Sequence, residues 1–299
     1  MSLSWLQEKL SLSGRANLLL VASTSYATPV VGQIFLRKLW QLTDAELELR
    51  EAPGSNRFEL RTDRVFLDAP VADAALKAAT NAAGILTYFV NELRVAGRMT
   101  PYSMVTAIGE PVVPSGMRDD EIVINQWLAD DLQAKPGDEL ELKYFVIGLG
   151  RRLEEQSGRF RIHSVVPLSG AVADRTLMPD FPGLEKAEST RDWDSSLPVS
   201  LAKIRPQDEA YWKQYRGTPK AFVTLASGQK LWTNRFGNLT AVRYSSPPGG
   251  RKAVAAGVGG GGAIAGFRWI VYRVQLFPHR RGLDPDGIAL SIRPRATDR

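Results

Sequence analysis

The sequence predicts an α+β chain, a larger mixed α/β unit carrying a smaller inserted β-rich unit. Three observations predict it. "ANLLLVAS" (16–23) is a continuous apolar run, as in a strand covered on both faces. "AELELREA" (45–52) alternates, as a half-buried strand does. "EIVINQWLADDLQAKPGDELELKYFV" (121–146) reads as strand, helix, turn and strand in 26 residues, with no catalytic side chain standing out.

Composition bounds what such a chain can do. Its 299 residues suffice for one large domain or two modest ones, with a real core. The formal charge is +6, but Lys and Arg are scattered among Asp and Glu, whereas a nucleic-acid site needs a clustered patch. A mild positive excess suits an anionic membrane surface. Cysteine is absent, which excludes disulfides, thiolate catalysis and zinc–thiolate sites. The two histidines, His163 and His279, exclude a histidine-rich metal site. No segment has the ~20 consecutive apolar residues of a membrane helix. The opening charged helix precedes its apolar run, the wrong order for an export signal, so residue 1 reads as a cut inside a longer natural chain.

The elements follow in order. Trp5, Leu6, Lys9 and Leu10 have helical spacing, stopped by Gly14. After the 16–23 strand, Pro29 opens a helix with Val30, Ile34, Leu36, Leu39 and Trp40 apolar. The alternating strand at 45–52 is followed by one or two more in "RFELRTDRVFLD" (57–68). "PVADAALKAATNAAG" (70–84) is an alanine-rich helix with Pro70 in its first turn. Residues 85–109 form a long hairpin turning near Gly97 to Thr100. In 121–146, Asn125 opens the helix and Lys135-Pro136-Gly137-Asp138 closes it. Phe160, Ile162 and Val165 mark a strand after a charged loop. Residues 169–219 hold five prolines and many charges, yet Phe181, Trp193, Tyr211 and Trp212 give this excursion something to bury, so it is ordered and a candidate interaction loop. "KAFVTLASGQKLWTNRFGNLTAVRY" (220–244) returns to helix and strand, and its Gln229 to Asn238 stretch echoes Gln7 to Asn17, which leaves duplication and chance both open. Residues 245–266 read as a flexible loop, 267–277 as strand or helix, and "GIALSIRPR" (287–295) as a last strand.

Several residues invite a chemical reading. "GVGGGGAIAG" (257–266) lacks the Lys-Ser/Thr of a phosphate loop and the preceding strand of a dinucleotide turn. Asp192 and Asp194 flank Trp193, but acids in a polar loop usually cap turns or face water. His163 sits in an alternating strand, and His279 in a basic "FPHRR" cluster. No serine has the flanking glycines of a nucleophile elbow. The mixture of Arg, Lys and aromatics in "WKQYRGTPKAF" (212–222) has core spacing rather than a base-stacking pattern. No catalytic, cofactor or metal residue is assigned.

The 121–146 stretch, followed by "GRFRIHSVVPL" (158–168), resembles the extracytoplasmic domain of FtsX-type and MacB-like ABC transporter permeases. Matching residues are Glu121 to Asn125, Leu128, Ala129, Leu132, Gly137, Asp138, Leu140, Leu142, Phe160, Ile162, Val165 and Val166. Ser164 and the charged insertion at 148–159 depart from the pattern. The resemblance implies a discontinuous porter-like α/β subdomain (1–118 and 220–299) interrupted by a β-rich one (119–219), in which Asn125, Leu128, Leu132, Gly137, Asp138 and Leu140 set shape. It implies membrane helices flanking the chain and a place on the periplasmic side of a bacterial inner membrane. The partner would be a cytoplasmic ABC ATPase, with an envelope protein or a second permease copy also compatible, and ATP would never touch this domain. Two rival readings are a free-standing glycan- or peptide-binding module using the aromatic loop, and a hydrolase using Asp192 or Asp194 with His163.

Overall fold

In a computed structural model, the described residues are 2–9, 41–51, 57–148, 152–193, 199–245 and 249–259. Residues 1–40 and 41–299 divide into two units. In the first, helix α1 (Leu3–Lys9) is described, with the Ser2 hydroxyl accepting from Trp5 N at 3.2 Å. The expected strand at 16–23 and residues 29–40 of the expected helix at 29–42 lie outside the described residues, while Leu42 opens a 3₁₀ turn, Leu42–Ala45.

The second unit is built on nine described strands: β1 (Leu47–Glu51), β2 (Arg57–Thr62), β3 (Ala82–Val95), β4 (Arg98–Ala107), β5 (Glu121–Asn125), β6 (Glu139–Ile147), β7 (Leu153–Val166), β8 (Ala221–Val223) and β9 (Ala241–Ser245). Their order is β1-β2-β9-β3-β4-β8-β5-β7-β6, and β6 pairs back onto β3. Six strands, β3-β4-β8-β5-β7-β6, therefore close into a barrel, while β1, β2, β9 and the start of β3 form an antiparallel sheet. Closure leaves β3 through β8 without a bare edge at the seam, which removes the usual hazard of strand-to-strand aggregation.

β3 belongs to both bodies. Its Ala82–Ile85 pair with Tyr244–Ala241 of β9, Leu86–Val95 pair with β4, and Glu92–Arg94 pair with Lys143–Glu141 of β6. At ~3.3 Å per residue, 14 residues run about 46 Å. Both of its faces are covered, so it reads "GILTYFV" rather than a clean alternation. At the crossing, Gly84 lets Leu239 and Leu225 approach: a Cβ there would lie 3.1–3.2 Å from their methyls.

The helices are α2 (Ala69–Lys77), α3 (Gln126–Leu132), α4 (Pro206–Tyr215), α5 (Leu225–Trp232) and α6 (Gly250–Val258). α2 stops at Lys77, and Ala82 is already strand, so the alanine-rich helix is shorter than its composition suggests. α6 falls inside the expected 245–266 loop. Its Val254 and Val258 are buried, and Gly257 meets Ala78, where a Cβ would come within 2.9 Å of the alanine methyl. Small residues on both partners let α6 seat closely, and the glycine content disguised a helix. Among the described residues no helix is long and apolar enough to cross a membrane.

The barrel draws β3, β4 and β8 from outside 119–219, so backbone hydrogen bonds cross both expected subdomain boundaries.

Candidate functional site

The module at 121–146 forms as the sequence predicts. Asn125 caps α3, its Oδ1 accepting from Leu128 N at 2.9 Å. Leu128, Leu132 and Leu140 are buried. Gly137 sits at φ +95°, which an L-residue rarely adopts, and donates to Ile162 O at 2.8 Å. Asp138 accepts from Lys135 N at 2.9 Å, and its carbonyl accepts from Ile162 N at 2.8 Å. The turn thereby holds β6 to β7.

Asn125 has a second task. Its Nδ2 donates to Tyr211 Oη and to Pro219 O, both at 3.2 Å. Tyr211 lies on α4, in the excursion at 169–219. This excursion is a strap, clamped at two ends. Its aromatic residues are spent on packing. Trp193 and Trp212 meet edge to face at 4.9 Å, and Trp193 also abuts Phe89 and Tyr102 of the β3–β4 hairpin. Trp212 and Tyr211 are buried, while Phe181 and Trp193 are half-buried against the same cluster. Trp212 Nε1 donates to Ala187 O at 3.0 Å.

One clamp lies on the sheet. Glu59 of β2 accepts from Arg243 of β9 at 2.9 Å (Nε) and 2.6 Å (Nη2), and also from Arg61. Arg243 reaches the strap, donating to Asp174 Oδ2 at 2.9 Å and Thr176 Oγ1 at 3.0 Å. Arg61 Nη1 donates to Met178 O at 3.0 Å, and Arg50 pairs with Asp180 at 2.7 Å. Burial works against the Asp174 charge, but bonds from Thr176 and Arg243 outweigh it and hold its pKa below the usual range.

The other clamp lies on the barrel. Arg205, at the start of α4, donates to Asp208 (Nε, 2.8 Å), to Asp131 of α3 (Nη2, 2.6 Å) and to Met99 O (Nη1, 3.1 Å). Thr100 adds a hydroxyl donor to Asp131. Hydrogen bonding to Asp208, chiefly, raises the Arg205 pKa further.

Lys220 closes this clamp. It immediately precedes β8, with backbone bonds to Met104 O and from Asn125 N, both 2.9 Å. Its side chain is 4% exposed. The ammonium lies 4.1 Å from the Trp127 ring, 4.7 Å from the Tyr211 ring and 3.8 Å from Asp208 Oδ1. Burial pushes its pKa down to about 8, against the pull of Asp208 and Asp131. A cavity of ≈ 30 Å³ beside it is lined by Asp208, Thr190, Trp193, Arg216 and Thr218, among others. That volume holds one or two waters.

Of the residues weighed for chemistry, His163 lies 3.3 Å from Glu121 on the barrel surface, and Asp192 accepts from Ser189 N in a 3₁₀ turn. Asp194 and His279 lie outside the described residues. Lys220, Asp131, Arg205, Asp208 and Arg243 were not singled out by the sequence. The one available signal was Lys220 itself, a cation opening the wholly apolar strand Ala221–Val223.

No protein-family model and no curated protein matches the sequence. Among solved structures, a domain assigned to a permease protein of Porphyromonas gingivalis aligns at 8% identity and TM-score 0.29, over 60% of this chain and 61% of that one. The alignment thus spans less than two thirds of either chain.

Proposed function

We propose that this chain is the extracytoplasmic domain of an FtsX-type, MacB-like ABC permease, and that it relays motion without doing chemistry. In this reading a cytoplasmic ABC ATPase drives the membrane helices. The sheet receives the displacement, and the barrel presents it to cargo or to an envelope partner on the periplasmic side.

The observation that carries the reading is the continuity of β3. A single strand is hydrogen-bonded into the sheet at Ala82–Ile85 and into the barrel at Glu92–Arg94. Bending the two bodies apart must break its ladder or the strap's clamps. Removing one partner from a buried ion pair costs about 3–5 kcal/mol, several times thermal energy. The strap spans both bodies, with Asp174 and Asp180 on the sheet side and Arg205, Asp208 and Tyr211 on the barrel side. The aromatic residues that a ligand loop would present are turned inward, and the cavity beneath them is one-tenth or less of the ~300–1,000 Å³ of ordinary ligand pockets.

The test is biochemical. The natural full-length protein, with whatever flanks its reading frame supplies, is expressed with the ABC ATPase encoded beside it, and membranes are extracted in detergent. The reading expects co-purification, ATPase stimulation that falls when the clamps are cut (Arg243→Met with Arg205→Met), and no nucleotide binding by residues 1–299 in calorimetry. A protein that partitions with the soluble fraction and binds free oligosaccharide or peptide would overturn it.

A further inference from the structure

Barrel closure leaves part of one strand uncovered. β7 has 14 residues; β6 pairs with Leu153–Arg161 on one side, but on the other β5 takes only Arg161–Val166. Gly148 N donates to Arg152 O and Ile162 N to Asp138 O, both at 2.8 Å, so the even-numbered residues of β7 turn their backbone groups to β6. Arg161 N turns the other way, to Asp120 O at 2.9 Å. The amides and carbonyls of Leu153, Glu155, Ser157 and Arg159 therefore face outward, and among the described residues nothing bonds them. Leu153 to Ser157 and Arg159 are exposed. The ladder with β6 runs here without a bulge, and no proline interrupts it, so the edge is an open template for another strand.

The charges on this edge complement themselves. A two-fold axis at Ser157 sets β7 antiparallel to a second β7, with Glu155 of each copy opposite Arg159 of the other. Glu155, Ser157 and Arg159 share one face of the strand, so the opposed side chains can meet. Centring the axis on Glu155 or on Arg159 would set like charges face to face, and centring it on Gln156 would leave Glu155 facing Ser157. Arg159 is free to turn to a new partner: its side chain is 68% exposed, and Glu139 and Glu141 lie at 3.8 and 3.9 Å. Glu155 accepts from Asn91 at 3.0 Å and keeps lone pairs for a second donor. Ile147 and Leu153, opposite each other in the same hairpin, are also exposed, so an apolar pair lies beside the bare edge.

We propose that this edge docks a second copy of the chain, β7 to β7 across Ser157, so that the two β6–β7 hairpins form one four-stranded antiparallel sheet. Glu155, Ser157 and Arg159 of each copy exchange backbone hydrogen bonds with the residue opposite, about six bonds in all. The ladder stops beyond Arg159, because Asp120 holds the next position along the edge. A contact this short buries less than the ~1,000 Å² of a stable interface, so the dimer is weak, and salt loosens its charge pairs further. Docking uses neither the strap nor its clamps, and it stands whether or not the domain relays motion.

The test uses the whole chain, which has no cysteine, so single introduced cysteines report the register. Opposed residues of a hydrogen-bonded pair have Cα atoms about 5.5 Å apart, inside the ~4.4–6.8 Å span of a disulfide. Ser157→Cys should therefore cross-link to its own copy under mild oxidation, faster as protein concentration rises. Leu153→Cys should not, since its two copies would lie about 26 Å apart along the ladder at ~3.3 Å per residue. On the Ser157→Cys background, Glu155→Arg or Arg159→Glu alone should slow cross-linking roughly tenfold. The two reversals together should restore it, because exchanging the charges keeps the match. Ser157→Cys cross-linking no faster than Leu153→Cys overturns the proposal. So does a rate that ignores the single reversals, or one that is highest through Gln156→Cys. Cysteines that stay reduced at every concentration leave this edge to a foreign strand, and count equally against it.

Discussion

Replacing Asn125 by alanine should destabilise the domain far more than a polar side chain ordinarily does. Three hydrogen bonds meet at this fully buried residue: one from Leu128 N at 2.9 Å and two to the strap side at 3.2 Å. Losing the cap costs about 0.5–2 kcal/mol. Losing Nδ2 leaves the buried Pro219 carbonyl without its donor, about 1–3 kcal/mol more. The sum is roughly 1.5–5 kcal/mol, read as a fall in urea midpoint at unchanged m-value. Asn125→Ser separates the two parts, because serine keeps the cap and cannot reach the strap. It should cost about 1–3 kcal/mol and should selectively raise proteolysis within 169–219. A cost below about 0.5 kcal/mol for alanine, or equal costs for alanine and serine, would refute the view that one residue serves both the module and the strap.

Gly228→Ala should be much worse than Gly137→Ala. A Cβ at Gly228 would lie 2.1 Å from the Ala107 methyl and push α5 off β4, whereas at Gly137 only the positive φ resists, about 1 kcal/mol, and the nearest atom is 3.8 Å away; calorimetric midpoints of the two variants give the comparison. Arg243→Met should cost about 1.5–3 kcal/mol in chemical denaturation, because it takes the guanidinium from Asp174 and leaves Glu59 with Arg61 alone, while Arg118→Met on the surface should cost under about 1 kcal/mol. Stability should rise with pH between about 8 and about 10.5, by roughly 1–3 kcal/mol, because the unfolded chain keeps the Lys220 proton longer than the folded one. Above pH ~10 it should fall, since burial raises Tyr88 to about 12 and raises Tyr211 and Tyr244 too, so the unfolded chain loses those protons first. Lys220→Met should erase the rise and leave the fall, and denaturant titrations across this range check both limbs.

Local structure was legible wherever local chemistry decides it. Asn125, the Lys135–Asp138 turn and the period of 121–146 specify a cap, a helix and a strand within a few residues of chain. The hairpin at 85–109 was legible with a turn expected near Gly97 to Thr100, and the structure turns slightly earlier, at Ala96–Gly97, both at positive φ. The barrel was not legible, because closure depends on Glu92–Arg94 finding Glu141–Lys143, across some fifty residues that carry no mark of the pairing. β3 was read as one arm of a hairpin. Its second role, in the sheet, shows only as apolar residues on consecutive positions, which any doubly covered strand displays. The aromatic strap residues were found by composition, and their inward packing was not. The clamps were invisible for a simpler reason. Glu59 and Arg243 stand 184 positions apart, and single charges in a chain of scattered charges give no sign of which will meet. The expected echo between Gln7–Asn17 and Gln229–Asn238 falls in part outside the described residues, and the segments at 267–277 and 287–295 lie wholly outside them.

Hydrogen exchange along β3 measures directly whether sheet and barrel move as one piece. The amides of Ala82–Ile85 and of Leu86–Val95 should open with a single free energy, equal to that of global unfolding, and should respond alike to Arg243→Met and Asn125→Ala. Exchange of the barrel half through a separate, lower-energy opening, with the sheet half still closed, would mean that the strand is a hinge and cannot carry force from one body to the other.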